Sequence, residues 1–193
     1  MIFFTSDHHF SHANIIRYCN RPFASTEEMN QELISRWNQT VSPDDTVYYL
    51  GDFSLSVDVV GSITQLLNGR KFLIMGNHDL CHPVHKKRAL LAGELYLRAG
   101  FESIELESRI EIAGQSVLLH HLPYLTPSAP DKYSGKYDKF RPIDNGQWLL
   151  CGHIHEKWRE QERMINVGVD VWDFYPVAMT KIEKLITQSF LAK

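Results

Sequence analysis

The chain has 193 residues, 44% of them hydrophobic and 22% charged, and a formal net charge of −3 with histidine neutral. That suits one globular domain over residues 1–193 with a sizeable core, and it excludes the overall basic field that a partner such as long nucleic acid calls for. No apolar run approaches the roughly 18–20 residues of a membrane span, and the three scattered cysteines form no disulfide framework.

Residues 2–4 read as a short strand that ends at Asp7. The first five residues are too short for the apolar part of a signal sequence, so a reducing cytoplasm and no membrane partner are expected. Ser25-Thr26-Glu27-Glu28 is a capping-box pattern and predicts a helix to about Gln39, with Met29, Leu33, Ile34 and Trp37 on one face. Residues 46–50 are β-rich and run into Gly51-Asp52. A helix is expected over 57–67, stopped by Asn68-Gly69, and a buried strand over 71–75. Residues 83–98 look helical, with Leu90, Leu91, Leu95 and Leu97 as the apolar positions. The alternation in 103–119, with a turn at Gly114-Gln115, reads as a hairpin-like region. Residues 122–147 hold much of the Pro, Gly, Tyr and Lys punctuation and form a long loop. Strands follow at 147–151, 164–167 and 177–179, and Thr180 opens a last helix. Early alternation of strands and helices, with hairpin-like strands later, indicates a layered α/β fold.

Five of the apolar runs end in the same way: Asp7-x-His9, Gly51-Asp52, Gly76-Asn77-His78-Asp79, His120-His121 and Gly152-His153-x-His155. In α/β sheets, functional groups gather beyond the carboxyl ends of strands. The set holds carboxylate, imidazole and amide but no thiolate. Such donors suit divalent Mn, Fe, Zn or Ni rather than a closed structural zinc. In Asp7-x-His9 and His153-x-His155, alternate residues point the same way if the backbone stays extended. Glycines at 51, 76 and 152 allow tight turns and close approach. Taken singly, Asp and Asn at these places would be turn-closing residues; five repeats in one chain argue against that.

The order of these motifs, with a histidine just before Pro123, resembles the calcineurin-like metallophosphoesterase family from residue 2 to about 180. The stretches 6–15 and 20–23 are similar to a small bacterial and phage-borne branch of it. The resemblance implies an α/β/β/α sandwich of four layers with two divalent metal ions at the strand ends. Carried over by motif, Asp7, His9 and His155 would hold one metal, Asn77, His121 and His153 the other, and Asp52 would bridge them. A hydroxide between the metals would attack a phosphate ester, with His78 as acid or charge stabiliser and Asp79 orienting His78. The branch places its ligand in a His-x-Pro setting, which selects His121 over His120. Neighbours on a strand face opposite sides, so both would not hold one metal.

His8 is expected to point away from Asp7 and His9 and to be partly exposed. His12 and Arg21 are candidates for holding substrate phosphate. Lys86, Lys87 and Arg88 read as a solvated helix face. Tyr124, Lys132, Tyr133, Lys136, Tyr137, Lys139 and Arg141 give the long loop the composition of a substrate lid. The expected substrate is a phosphorylated small molecule or nucleotide, phosphodiesters included. A catalytically retired metal scaffold or a nuclease is the alternative. A retired site should lack His78 or a ligand, and none is missing here.

Overall fold

The computed structural model describes residues 1–125 and 135–191, with only the backbone at Phe190 and Leu191. In the first half, β1 (Ile2–Thr5), β2 (Thr46–Tyr49), β3 (Arg70–Ile74) and β4 (Phe101–Glu105) run parallel. Parallel neighbours need crossovers, which here are helical. α1 (Ala13–Tyr18) and α2 (Thr26–Thr40) join β1 to β2, α3 (Val57–Thr64) joins β2 to β3, and α4 (Lys87–Ala99) joins β3 to β4. The expected cap of α2 forms: Glu28 N–H donates to Ser25 Oγ at 3.1 Å, and the Glu28 carboxylate accepts from Ala24 N–H at 2.7 Å. Met29, Leu33 and Trp37 then seat α2 on the sheet.

The second half builds another sheet from β5 (Glu107–Ile112), β6 (Gln115–His120), β7 (Trp148–Cys151), β8 (Glu160–Gln161) and β9 (Met164–Asn166), in the order β5-β6-β7-β9-β8. β10 (Val177–Ala178) returns to lie antiparallel on β1, and α5 (Met179–Leu191) follows. The region read as hairpin-like is divided. Ile104 and Glu105 finish the first sheet, and only β5 and β6 form the hairpin, around Ala113 and Gly114 with φ +53° and +70°. Positive φ at both central residues matches the twist of the flanking strands.

Phe4, Leu50 and Ile74 of the first sheet face Val117, Leu119, Leu150 and Ile165 of the second, and α5 adds Ile182 and Ile186 to this layer. The α/β/β layering is as the resemblance implies. Among the described residues, the outer face of the second sheet (Leu118, Leu149, Cys151, Met164) is covered by coil around Tyr124 and Trp158 rather than by a long helix.

The helix expected over 83–98 is interrupted. Pro83–His85 forms a 3₁₀ turn, Lys86 takes φ +57°, and α4 begins after it. Its leucines do not supply the buried face. Leu90 and Leu91 are 81% and 73% exposed, and the buried stripe is Ala92, Tyr96 and Ala99. Two small residues about one aromatic let α4 approach closely, and Tyr96 stacks on Phe101. Among the described residues, no helix is long and apolar enough to cross a membrane.

Candidate metal centre

Where β1, β2, β3, β6 and β7 end, the chain bends sharply. Asp7, His9, Asp52, His153 and His155 have φ of +60°, +51°, +59°, +73° and +50°. Residues with a Cβ avoid this left-handed region, at a cost of about 1–2 kcal/mol each. The extended backbone assumed for Asp7-x-His9 and His153-x-His155 is therefore absent. Left-handed turns, not strand alternation, aim both side chains of each pair into one place. Strain of this kind collects where function fixes geometry. Two glycines permit the approach. A Cβ on Gly76 would lie 2.2 Å from Asp52 Oδ1, and one on Gly152 would lie 2.4 Å from Asp7 Oδ2.

Asp52 sits at the middle. Its Oδ2 is 3.5 Å from His9 Nε2 and 3.4 Å from His121 Nε2, and its Oδ1 accepts from His78 N–H at 2.8 Å. Asp7, His9 and His155 bring their ligating atoms within 4.8 Å of one another, and so do Asp52, His121 and His153. His153 N–H donates to both oxygens of Asp7 at 3.1 and 3.0 Å, tying the two groups together. Asn77 is 2% exposed, yet its amide oxygen and nitrogen have no partner. Both ring nitrogens of His9 and Nε2 of His121 are also buried and make no hydrogen bond, each Nε2 having only the longer approach to Asp52. Each orphaned group costs about 1–3 kcal/mol, so a cluster of them is expensive unless a ligand satisfies it. A divalent cation satisfies nitrogen and oxygen lone pairs together, and this thiol-free donor set is of the kind such ions take.

The charges agree. Burial would raise Asp52, but His121, His78 and His9 hold its carboxyl well below the usual range. Burial would lower His121, but Asp52 holds it up at about 9. In the protein alone a proton on His121 thus balances Asp52.

The family model for calcineurin-like phosphoesterases matches residues 1–157. This chain belongs to that family. It is a metal-dependent phosphoric ester hydrolase of the calcineurin-like type. An uncharacterized protein of Methanocaldococcus jannaschii is 34% identical over 96% of this chain and 90% of its own length. The gene 66 protein of Mycobacterium phage L5 is 34% identical over 88% of this chain and 86% of its own length. Among solved structures, a protein of unknown function from Aquifex aeolicus superposes with a TM-score of 0.70 at 28% identity, over 96% of this chain and 98% of that one.

Within this calcineurin-like site several expected roles change. Arg21 does not face a substrate. Its side chain is fully buried, its Nε and Nη2 pair with Asp170, and Nη1 and Nη2 donate to the carbonyls of His8 and Asp7 at 2.7 and 2.6 Å. Asp79 does not orient the His78 ring. Its carboxylate accepts backbone N–H groups of Asp52, Phe53 and Gly76 at 2.8–2.9 Å, clamping the end of β2 to that of β3. Burial and the Asp52 charge push Asp79 up to about 7 against those three donors. His8 points away from Asp7 and His9 as expected but is fully buried, with Nδ1 in a hydrogen bond to the Tyr49 hydroxyl at 2.8 Å; burial pushes it down to about 3.

His121, not His120, faces Asp52. His121 Nδ1–H donates to Leu50 O at 2.7 Å, which leaves Nε2 for the centre. His120 turns away and accepts from Leu122 N–H at 2.9 Å. His12 lies beside His9, ring centroids 5.6 Å apart. Lys86, Lys87 and Arg88 are exposed, as expected of a solvated face. Of the long loop, Tyr137 stands perpendicular to His153 at 6.0 Å, while Lys132 and Tyr133 lie outside the described residues.

The residue that motif reading missed is Asp170. His155 Nδ1–H donates to its Oδ2 at 3.1 Å, and this bond holds His155 well above its usual pKa although burial alone would lower it. Such a carboxylate fixes the tautomer of a ligating histidine. From sequence, the stretch Asn166 to Asp170 reads as a core strand and turn near the site with no assigned role; the structure ends β9 at Asn166 and carries Asp170 on a 3₁₀ turn, Val169–Val171. Ser6 is a second such residue, with its hydroxyl 2.6 Å from Asp7 Oδ2.

Proposed function

We propose that this protein hydrolyses a small phosphate ester, of phosphodiester or nucleotide type, with two divalent ions at the strand ends. The observation that carries this is the cluster of buried, unpartnered atoms of His9, Asn77 and His121 around Asp52. Asp7, His9 and His155 would hold one ion, and Asn77, His121 and His153 the other. Asp52, reaching toward both His9 and His121, would be shared. Ions of the Mn, Fe, Zn or Ni kind supply Lewis acidity toward phosphoryl oxygens and lower the pKa of water. The chain's own part is positioning. Left-handed turns fix the ligands, and Asp79 locks the β2 and β3 ends that carry Asp52 and Asn77. The half-buried His78, ring to ring with His9 at 5.6 Å, borders the cleft beside the centre. From there it would donate a proton to the leaving oxygen or stabilise charge on the phosphoryl group. That cleft measures about 350 Å³, the scale of one small organic group rather than a polymer.

The test is hydrolysis of aryl phosphate mono- and diesters by Mn²⁺-loaded protein, with His78→Ala and Asp52→Asn beside it. Expected is metal-dependent turnover that falls about 100-fold or more without His78 while metal content stays at the wild-type level. Wild-type protein that binds metal and turns over neither ester, or a His78→Ala variant as active as wild type, overturns the corresponding assignment.

A further inference from the structure

The cleft beside the metal centre has two walls that no metal ligand explains. One is a single face of the first helix: His12 at its cap, then Ile15 and Tyr18, spaced by three. The other is the turn that carries His153 and His155, through Ile154, Glu156 and Lys157. Ile15 and Ile154 are 3% and 4% exposed and make an apolar floor. Tyr18, at the rim of the cleft, is 63% exposed. His12 stands edge-on to it at 6.5 Å, and the Arg17 guanidinium lies over it at 5.4 Å from the ring centre. His12 Nδ1 is buried without a partner.

We propose that this cleft is the recognition site for the organic group of the ester, and that the group is a flat, hydrogen-bonding ring stacked on Tyr18 with a polar edge at His12. The proposal rests on the phosphoesterase reading and deepens it. An apolar floor, one exposed aromatic face and one orphaned nitrogen match a planar ring with heteroatoms. They match a flexible polyol poorly, since its hydroxyls would lose water against Ile15 and Ile154. At the mouth the exposed Lys157 and Glu156 carry opposite charges, and Arg17 adds a positive one beside Tyr18. Aryl groups and nucleobases share the ring chemistry, and they differ in the polar edge offered to His12.

The experiment compares nucleoside, phenyl and glycerol esters, each as phosphate monoester and methyl diester, on wild type, Tyr18→Ala, Tyr18→Phe and His12→Ala. It reads kcat/KM with Mn²⁺, and calorimetric Kd for the monoesters. Stacking on an aromatic side chain corresponds to about 5- to 150-fold per ring. Tyr18→Ala is expected to lose that factor for nucleoside and phenyl esters and to stay within about twofold for glycerol esters, while Tyr18→Phe keeps most of it. A His12→Ala loss confined to nucleoside esters assigns the cleft to a base, and an equal loss for phenyl esters overturns the polar edge at His12. Equal effects of Tyr18→Ala on ring-bearing and ring-free esters, or none on either, overturn the proposal. If wild type hydrolyses nothing, the hydrolase reading falls. The Kd ratios then decide the cleft by the same criteria.

Discussion

Arg21 and Asp170 meet in a two-armed ion pair, Nε 2.7 Å from Oδ1 and Nη2 2.9 Å from Oδ2, and the same Oδ2 accepts from His155 Nδ1–H at 3.1 Å. The chain thus runs a line of charge from a buried arginine to the imidazole of His155. Because Nδ1 is engaged, His155 presents Nε2 to Asp7 and His9. Asp170→Asn keeps the shape and removes the charge. Its expected effect is a 10- to 100-fold weaker Mn²⁺ affinity, the usual consequence of losing such a support. Calorimetric titration measures it, with circular dichroism to show that the fold is kept. Wild-type affinity in the variant would mean that something other than Asp170 sets the His155 ring.

The same pair makes a different prediction for Arg21. Its side chain is 0% exposed and that of Asp170 3%. Arg21→Met leaves a buried carboxylate and two backbone carbonyls without their donor. Breaking a buried pair from one side costs about 3–5 kcal/mol. Urea unfolding of Arg21→Met should show that loss, and Arg21→Met with Asp170→Leu should recover part of it. KM for small esters should change little in protein that is still folded. An unchanged midpoint with a raised KM would return Arg21 to the substrate-binding role its sequence context suggested.

Arg21 also shows where sequence reading ends. That Asp7, His9, Asp52, Asn77, His121, His153 and His155 would gather at one rim was legible because each stands just past an apolar run and parallel strands bring their ends together. The partner of Arg21 lies 149 residues away, and no local pattern encodes it. Arginine near a phosphate motif reads as a phosphate ligand until its burial is known. Asp79 failed for a similar reason. Its adjacency to His78 suggested a side-chain contact, whereas the backbone amides of another strand end claimed its carboxylate. The α4 leucines misled because the count of apolar residues on a helix does not say which face is buried. Close packing favoured Ala92 and Ala99, and the leucines were left outside.

Proton linkage at the centre has a definite sign. Burial would lower His121, but Asp52 holds it at about 9, so the metal-free protein carries a proton there at neutral pH; His155 is raised likewise by Asp170. A ligating imidazole must be neutral, so a metal ion displaces these protons. Metal affinity should therefore rise with pH through the neutral range, with the His121 contribution ending above about 9, where that ring deprotonates unaided. For the metal-free fold the sign is opposite. The stability from a raised histidine is fully present below its ordinary value of 6.5 and is lost as pH climbs through about 9. Titration with Mn²⁺ at pH 7 in buffers of differing ionisation enthalpy should report about one to two protons released per protein. Zero release would contradict a protonated His121.

Two glycines give a paired test of how the strand ends are packed. A Cβ at Gly76 would fall 2.2 Å from Asp52 Oδ1 and 2.3 Å from Asp52 N, with no flexible neighbour to give way. Gly93 lies within α4, and a Cβ there meets nothing within 4 Å. Gly93→Ala should therefore stabilise by about 0.5–1 kcal/mol, through helix propensity and a less flexible unfolded chain. Gly76→Ala should cost about 1–3 kcal/mol, since overpacking must displace backbone or the Asp52 carboxylate. It should also weaken metal binding more than its stability loss explains, because Asp52 reaches toward His9 and His121 from that position. Urea midpoints and metal titrations of the two variants separate these effects. Wild-type metal affinity in Gly76→Ala would show that the centre tolerates a shifted Asp52, and the bridging assignment would then fall.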